Sequence, residues 1–187
     1  MTKDEIYEAL NYVNALREKR GKMATTIVKN PNLIPLLIAI MKDDVDPVSC
    51  KASWVLEFVA KEDLKLVSRY IDDFVDALKF VTLESSVRPA SKICQLLVLN
   101  EFSKKPSKSI NALSSKQQNA ITEAAFDWLI GEHKVAPKAY SMTTLLLLGK
   151  RIKWIHPELR QILEQNYESG SAAYKARARM TLKVLEK

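Results

Sequence analysis

The chain has 187 residues, 47% of them hydrophobic and 27% charged, with only 4 Gly and 7 Pro. That length suits one domain over residues 1–187, the apolar content excludes disorder as the dominant state, and scarce Gly and Pro favour helix. The net charge of +7 is lopsided: residues 1–133 balance 18 basic against 18 acidic side chains, whereas residues 134–187 hold 11 basic and 4 acidic ones.

From the N-terminus, Lys3-Asp4-Glu5 carries acids where a signal peptide needs a basic and then an apolar stretch. The longest apolar run, Leu33 to Met41, is nine residues and too short for a bilayer. Cys50 and Cys94 form neither a disulfide framework nor a metal-ligand pair. A soluble, reduced, cytoplasmic protein without a membrane partner is expected.

Apolar residues recur at helical spacing along nearly the whole chain, and no stretch alternates with period two. The pattern predicts about ten helices, over 3–15, 18–29, 32–42, 47–61, 65–82, 86–103, 115–131, 136–150, 157–168 and 171–186. The stripe Leu66, Val67, Tyr70, Ile71, Phe74, Val75, Leu78 and Val81 is the clearest, with charged residues opposite. Pro31, Pro47 and Pro157 follow candidate caps, and Pro35, Pro89 and Pro137 fit first turns. Gly21, Gly131, Gly149 and Gly170 stand alone near expected boundaries, which disfavours a phosphate-binding glycine loop. The class is all-α.

The helices repeat. Lys51-Ala52-Ser53, Arg88-Pro89-Ala90, Lys138-Ala139-Tyr140 and Lys175-Ala176-Arg177 each open the second helix of a pair. Their basic residues are 37, 50 and 37 positions apart. Equal outer spacings fit stacked helix pairs, and the longer middle interval matches a polar loop insertion at about 103–116.

Asn32-Leu33-Ile34-Pro35-Leu36-Leu37-Ile38-Ala39-Ile40-Met41-Lys42-Asp43 resembles the first helix of a HEAT or armadillo repeat. Asp46-Pro47-Val48-Ser49-Cys50-Lys51-Ala52-Ser53-Trp54-Val55-Leu56-Glu57-Phe58-Val59-Ala60 resembles the helix that follows it. The resemblance covers residues 30–187. It implies a right-handed α-α superhelix of about five pairs whose second helices line a concave surface, and it implies binding of a protein or nucleic acid. Five pairs with both end layers exposed can exist as a monomer.

No catalytic, cofactor or metal signature stands out. His133 and His156 lack ligand partners at metal spacing, Cys94 sits among Ile93, Leu96, Leu97 and Val98 as an inert buried thiol, and the acid pairs Asp43-Asp44 and Asp72-Asp73 point apart on a helix. Gly170-Ser171-Ala172-Ala173-Tyr174-Lys175 is faintly similar to the flexible loop of the fumarase and adenylosuccinate-lyase superfamily, but the rest of that signature is missing, so a lyase is rejected. Trp54 and Trp128 are expected in the core.

Two functions stay open. The first is a non-enzymatic scaffold that engages an acidic protein or peptide, with Lys51, Arg88, Lys138 and Lys175 as a basic ridge. The second is nucleic-acid binding by the basic C-terminal repeats, through Lys150, Arg151, Lys153, Trp154, Lys175, Arg179 and Lys183. Trp154 is there either a base-stacking platform or an anchor under a turn. Lys175, Arg179, Lys183 and Lys187 form one stripe of the last helix, with Ala176, Met180 and Val184 as an adjacent stripe able to pack. The resemblance extends in architecture to DNA-alkylation-repair glycosylases, whose catalytic residues have no match in this sequence.

Overall fold

The computed structural model describes residues 1–186, and Lys187, the last cation of the C-terminal stripe, lies outside them. Among the described residues there are eleven α-helices and no strand. They are α1 (Lys3–Ala9), α2 (Arg17–Lys29), α3 (Ile34–Asp43), α4 (Val48–Glu62), α5 (Leu64–Ser68), α6 (Ile71–Leu78), α7 (Glu84–Glu101), α8 (Ser115–Ile130), α9 (Val135–Leu148), α10 (Ile155–Gln165) and α11 (Ala172–Leu185). Short 3-10 turns, Leu10–Tyr12 and Pro31–Leu33, follow α1 and precede α3. The described residues are all-helical in class, and residues 102–114 connect α7 to α8, so Ser115 and Lys116 of the loop insertion expected at about 103–116 lie in α8.

Local chemistry accounts for the starts. Thr2 and Glu5 form a capping box on α1, Ser114 and Gln117 form another on α8, and Ser171 Oγ accepts from Tyr174 N on α11. Each cap satisfies amides that the first turn leaves unpaired. Pro35, Pro137 and Pro157 fall in first turns, where a missing N–H costs little.

Three expectations change. The single helix over 65–82 is two helices, α5 and α6, broken at Arg69 and Tyr70. Its apolar stripe advances by four residues each time, which drifts by about 40° per step on a helix of 3.6 residues per turn. A straight helix would still keep Leu66, Val67, Phe74, Val75 and Leu78 within one half of its surface, so the apolar spacing does not announce the break, and all five are buried on either side of it. Pro89 lies in the second turn of α7 because that helix begins at Glu84. Gly21 sits inside α2 rather than at a boundary.

The helices pack in two files. In one, α2, α4, α7, α9 and α11 are successive neighbours; in the other, α1, α3, α6 and α8 are. The files meet through α3 on α4, α8 on α9, and α10 on α9 and α11. The core between them is continuous from Ile6 to Ala178, with Phe74, Leu37, Leu56 and Ile93 among its fully buried side chains.

Acidic side chains tie successive connections together. Asp44, at φ 51° after α3, accepts from Thr82 N (3.1 Å), Thr82 Oγ1 (2.5 Å) and Leu83 N (3.4 Å) before α7. Glu84 in turn accepts from Lys134 N (3.1 Å), and its other oxygen lies 2.7 Å from His133 Nδ1, both in the turn before α9. Among the described residues no single helix is long and apolar enough to cross a membrane.

Candidate functional site

The four ridge residues occupy equivalent places. Lys51, Lys138 and Lys175 are the fourth residues of α4, α9 and α11, and Arg88 is the fifth of α7. Each has its own surroundings. Lys51 Nζ donates to Asn11 O (3.2 Å), and Arg88 pairs with Glu57. Lys138 lines a recess with His133 and Tyr174, and Lys175 Nζ lies 3.7 Å from Glu168 and 5.9 Å from the Tyr167 ring centroid.

The second set divides into two groups. Lys150, Arg151, Lys153 and Trp154 follow the C-terminus of α9, about 18 Å along the helix from Lys138 at 1.5 Å per residue. There Arg151 pairs with Glu101 and lies over Phe102, Lys153 Nζ donates to Lys150 O, and Trp154 stacks on Phe126 at 5.6 Å. Lys175, Arg179 and Lys183 are on α11, where Arg179 Nε donates to Tyr167 Oη (3.1 Å). The stripe beside them does not pack: Ala176, Met180 and Val184 are exposed, while Tyr174, Ala178 and Thr181 are buried. Met180 and Val184 therefore face solvent as the helix's apolar flank.

Trp128 is core, as expected, but Trp54 is only half-buried. Its Nε1–H donates to Ser85 O (2.9 Å). That carbonyl is the one an amide at 89 would ordinarily meet, and Pro89 has none to give. The indole thus seals α4 to α7 where the proline interrupts the helix.

Around Trp54 lies a cluster that the sequence reading did not assemble. Glu57, on α4, is fully buried, with Lys61 Nζ at 2.5 Å and Arg88 Nη2 at 2.8 Å. Arg20 of α2 covers Trp54 and Phe58, its Cζ 5.6 and 5.2 Å from the ring centroids. Its Nη2 donates to Ala15 O, and its buried Nε has no hydrogen-bond partner. One helical turn beyond Arg88, Lys92 lies over Tyr140 of α9 at 4.9 Å. Arg17, Arg20, Lys61 and Arg88 line a cleft of about 680 Å³ with Glu57 and Phe58.

The cations crowd one another. Burial first, then Arg88, lowers the Arg20 guanidinium from its ordinary value, with Glu57 acting in the opposite sense. Burial first, then Lys61, lowers the Lys92 ammonium. Such charge suits anion recognition. The sequence signal for this cluster is Glu57 itself, an acid set in the apolar run Val55-Leu56-Glu57-Phe58-Val59, with Lys61 one turn on.

Elsewhere the side chains of chemical interest are held structurally. Burial pushes the Cys94 thiol far up, and burial also raises Cys50. His156 Nε2 lies 2.9 Å from Leu146 O. Among the described residues no three His, Cys, Asp or Glu side chains converge as a metal site. No protein-family model, curated protein or solved structure matches the chain.

Proposed function

We propose that the chain is a non-enzymatic binding scaffold, a right-handed HEAT-like solenoid of about five helix pairs that engages an acidic protein or peptide. The partner lies along the face offered by α2, α4, α7, α9 and α11, in the reduced compartment that two free cysteines suit. The observation that carries the reading is the packing of these five helices in one file, with half-buried cations and aromatics on successive members: Arg20, then Trp54 and Phe58, then Arg88 and Lys92, then Tyr140. Electrostatic complementarity gives such a face its steering and specificity. Lys51, Lys138 and Lys175 extend the positive field at its edge.

Binding of nucleic acid is the second reading. It draws on Trp154, which is 57% exposed and stacked on Phe126 beside Lys150 and Lys153. Fluorescence anisotropy with a labelled Asp/Glu-rich peptide, duplex DNA, single-stranded DNA and RNA, titrated from low to physiological salt, separates the two. The scaffold reading expects the peptide to bind and the triple variant Lys51→Gln, Lys138→Gln, Lys175→Gln to bind it more weakly at unchanged helicity. Binding of nucleic acid alone, with a steep salt slope, replaces it with the second reading.

A further inference from the structure

We infer that the cleft between α2, α4 and α7 seats a phosphoryl group, and that the acidic partner docks there through a phosphorylated side chain. This rests on the scaffold reading and names the chemistry of its anchor.

The cleft is built for one concentrated anion. Among its lining residues Arg17, Arg20, Lys61 and Arg88 face Glu57 and Glu62, an excess of two positive charges. A carboxylate balances one of them, whereas a phosphomonoester, with a charge of roughly −1.5 to −2 near pH 7, balances both from a single attachment point. The three guanidinium groups also suit the oxygens of a phosphate, which planar forks bind in bidentate fashion.

The cluster is positioned rather than merely charged. Glu57, fully buried, fixes Lys61 and Arg88 from below, and the Trp54 and Phe58 rings fix Arg20 by its face. Holding these cations together has a cost: burial first and then Arg88 lowers Arg20, and burial first and then Lys61 lowers Lys92. An anion in the cleft relieves it. At about 680 Å³ the space accommodates more than the phosphoryl group and leaves room for the chain that bears it.

The distribution of charge along the face speaks against a polynucleotide. From Ala139 to Leu148 helix α9 carries no charged residue, and its half-buried positions there include Tyr140, Thr143 and Leu147. A phosphodiester backbone presents charge at regular intervals and needs cations at intervals to match. Here the field is concentrated at three helices and sparse beyond them, where Arg177 of α11 donates to Thr143 Oγ1.

The test uses the full chain and one fluorescein-labelled peptide of Gly and Asp residues in three forms, with central phosphoserine, glutamate or serine, plus duplex DNA and RNA carrying the same label. The expected result is affinity for the phosphoserine form about tenfold or more above both others, the yield of one added charge-assisted hydrogen-bond set. Inorganic phosphate then displaces it. Arg20→Gln lowers that affinity about tenfold with unchanged circular dichroism. Arg17→Gln, at an exposed cleft residue, serves if the first variant folds poorly, and Lys104→Gln, at an exposed position between α7 and α8 outside the cleft, leaves the preference intact. Equal binding of the three forms overturns the phosphoryl seat while the acidic-partner scaffold stands. Binding of DNA or RNA with no peptide bound overturns both. Failure of the phosphoserine form to bind, or a phosphoserine preference that survives both cleft variants, overturns the inference.

Discussion

Substituting Trp54 tests whether its indole replaces the amide that Pro89 lacks. The Nε1–H donates to Ser85 O at 2.9 Å, and Arg20 lies over the same ring at 5.6 Å. Trp54→Phe keeps an aromatic ring but removes the donor. Because Ser85 is exposed, water takes over part of the carbonyl's hydrogen bonding, so the loss is about 1 kcal/mol rather than the full penalty of a buried orphan. A weaker cation–π contact adds about 0.5 kcal/mol, and the smaller half-buried ring another ~0.5 kcal/mol. The total, about 2 kcal/mol, corresponds to a Tm lowered by about 4–8 °C for a chain of this size. Urea denaturation of the single and double variants with Pro89→Ala completes the cycle. With alanine at 89 the backbone supplies its own donor to Ser85, so Trp54→Phe costs about 1 kcal/mol less there. If it costs the same in both backgrounds to within ~0.3 kcal/mol, the indole is not standing in for the missing amide.

Three further outcomes follow from other contacts. Gly149→Ala places a methyl group on the His156 ring, and the overlap lowers stability by about 1–3 kcal/mol in chemical denaturation; His156→Ala in the same chain restores part of it. Glu57→Gln leaves Lys61 and Arg88 without their buried counter-charge and destabilises by about 1–3 kcal/mol, less than a wholly buried pair because both cations keep some hydration. Cys94 gives a pH signature: its folded pKa is raised by burial, so the unfolded thiol ionises first, and stability that is complete below about pH 8.5 falls as pH rises above it. One proton corresponds to about 1.4 kcal/mol per pH unit, and Cys94→Ala removes that much of the slope of denaturation free energy between about pH 9 and 10. A slope unchanged by the substitution shows that the thiol is not the group responsible.

Much of the secondary structure is legible in the sequence because its causes are local. Thr2, Ser114 and Ser171 announce helix starts through side chains that cap within three residues. The break at Tyr70 is not legible in this way, because the apolar stripe from Leu66 to Val81 fits one half of an unbroken helix. The candidate site is less legible because its parts come from different helices. Glu57 and Arg88 are 31 residues apart, and Arg20 reaches Trp54 across the α2–α4 contact. The repeat spacing orders the helices, but nothing in it says which side chains of neighbouring helices meet. Charge count alone points to the C-terminal third, yet Arg151 is spent on Glu101 and Arg179 on Tyr167. The acid at 57 points elsewhere, since a carboxylate in an apolar run has to find cations.

The ties made by Asp44 and Glu84 fix the order in which the molecule comes apart. Asp44 fastens the α3–α4 turn to the segment before α7, and Glu84 fastens the start of α7 to the turn before α9. At the next joint, between the α8–α9 turn and the connection before α11, a recess of about 420 Å³ lies among His133, Lys138, Ser169 and Tyr174. The earlier layers are thus bolted at their turns, while α10 and α11 are held to α9 by burial, by His156 Nε2 at Leu146 O and by Arg177 donating to Thr143 Oγ1, and to each other by Arg160 donating to Leu185 O. Opening begins at this last joint. Native-state hydrogen exchange accordingly releases the amides of α10 and α11 at a lower free energy than those of α4 and α7, as one subglobal unit.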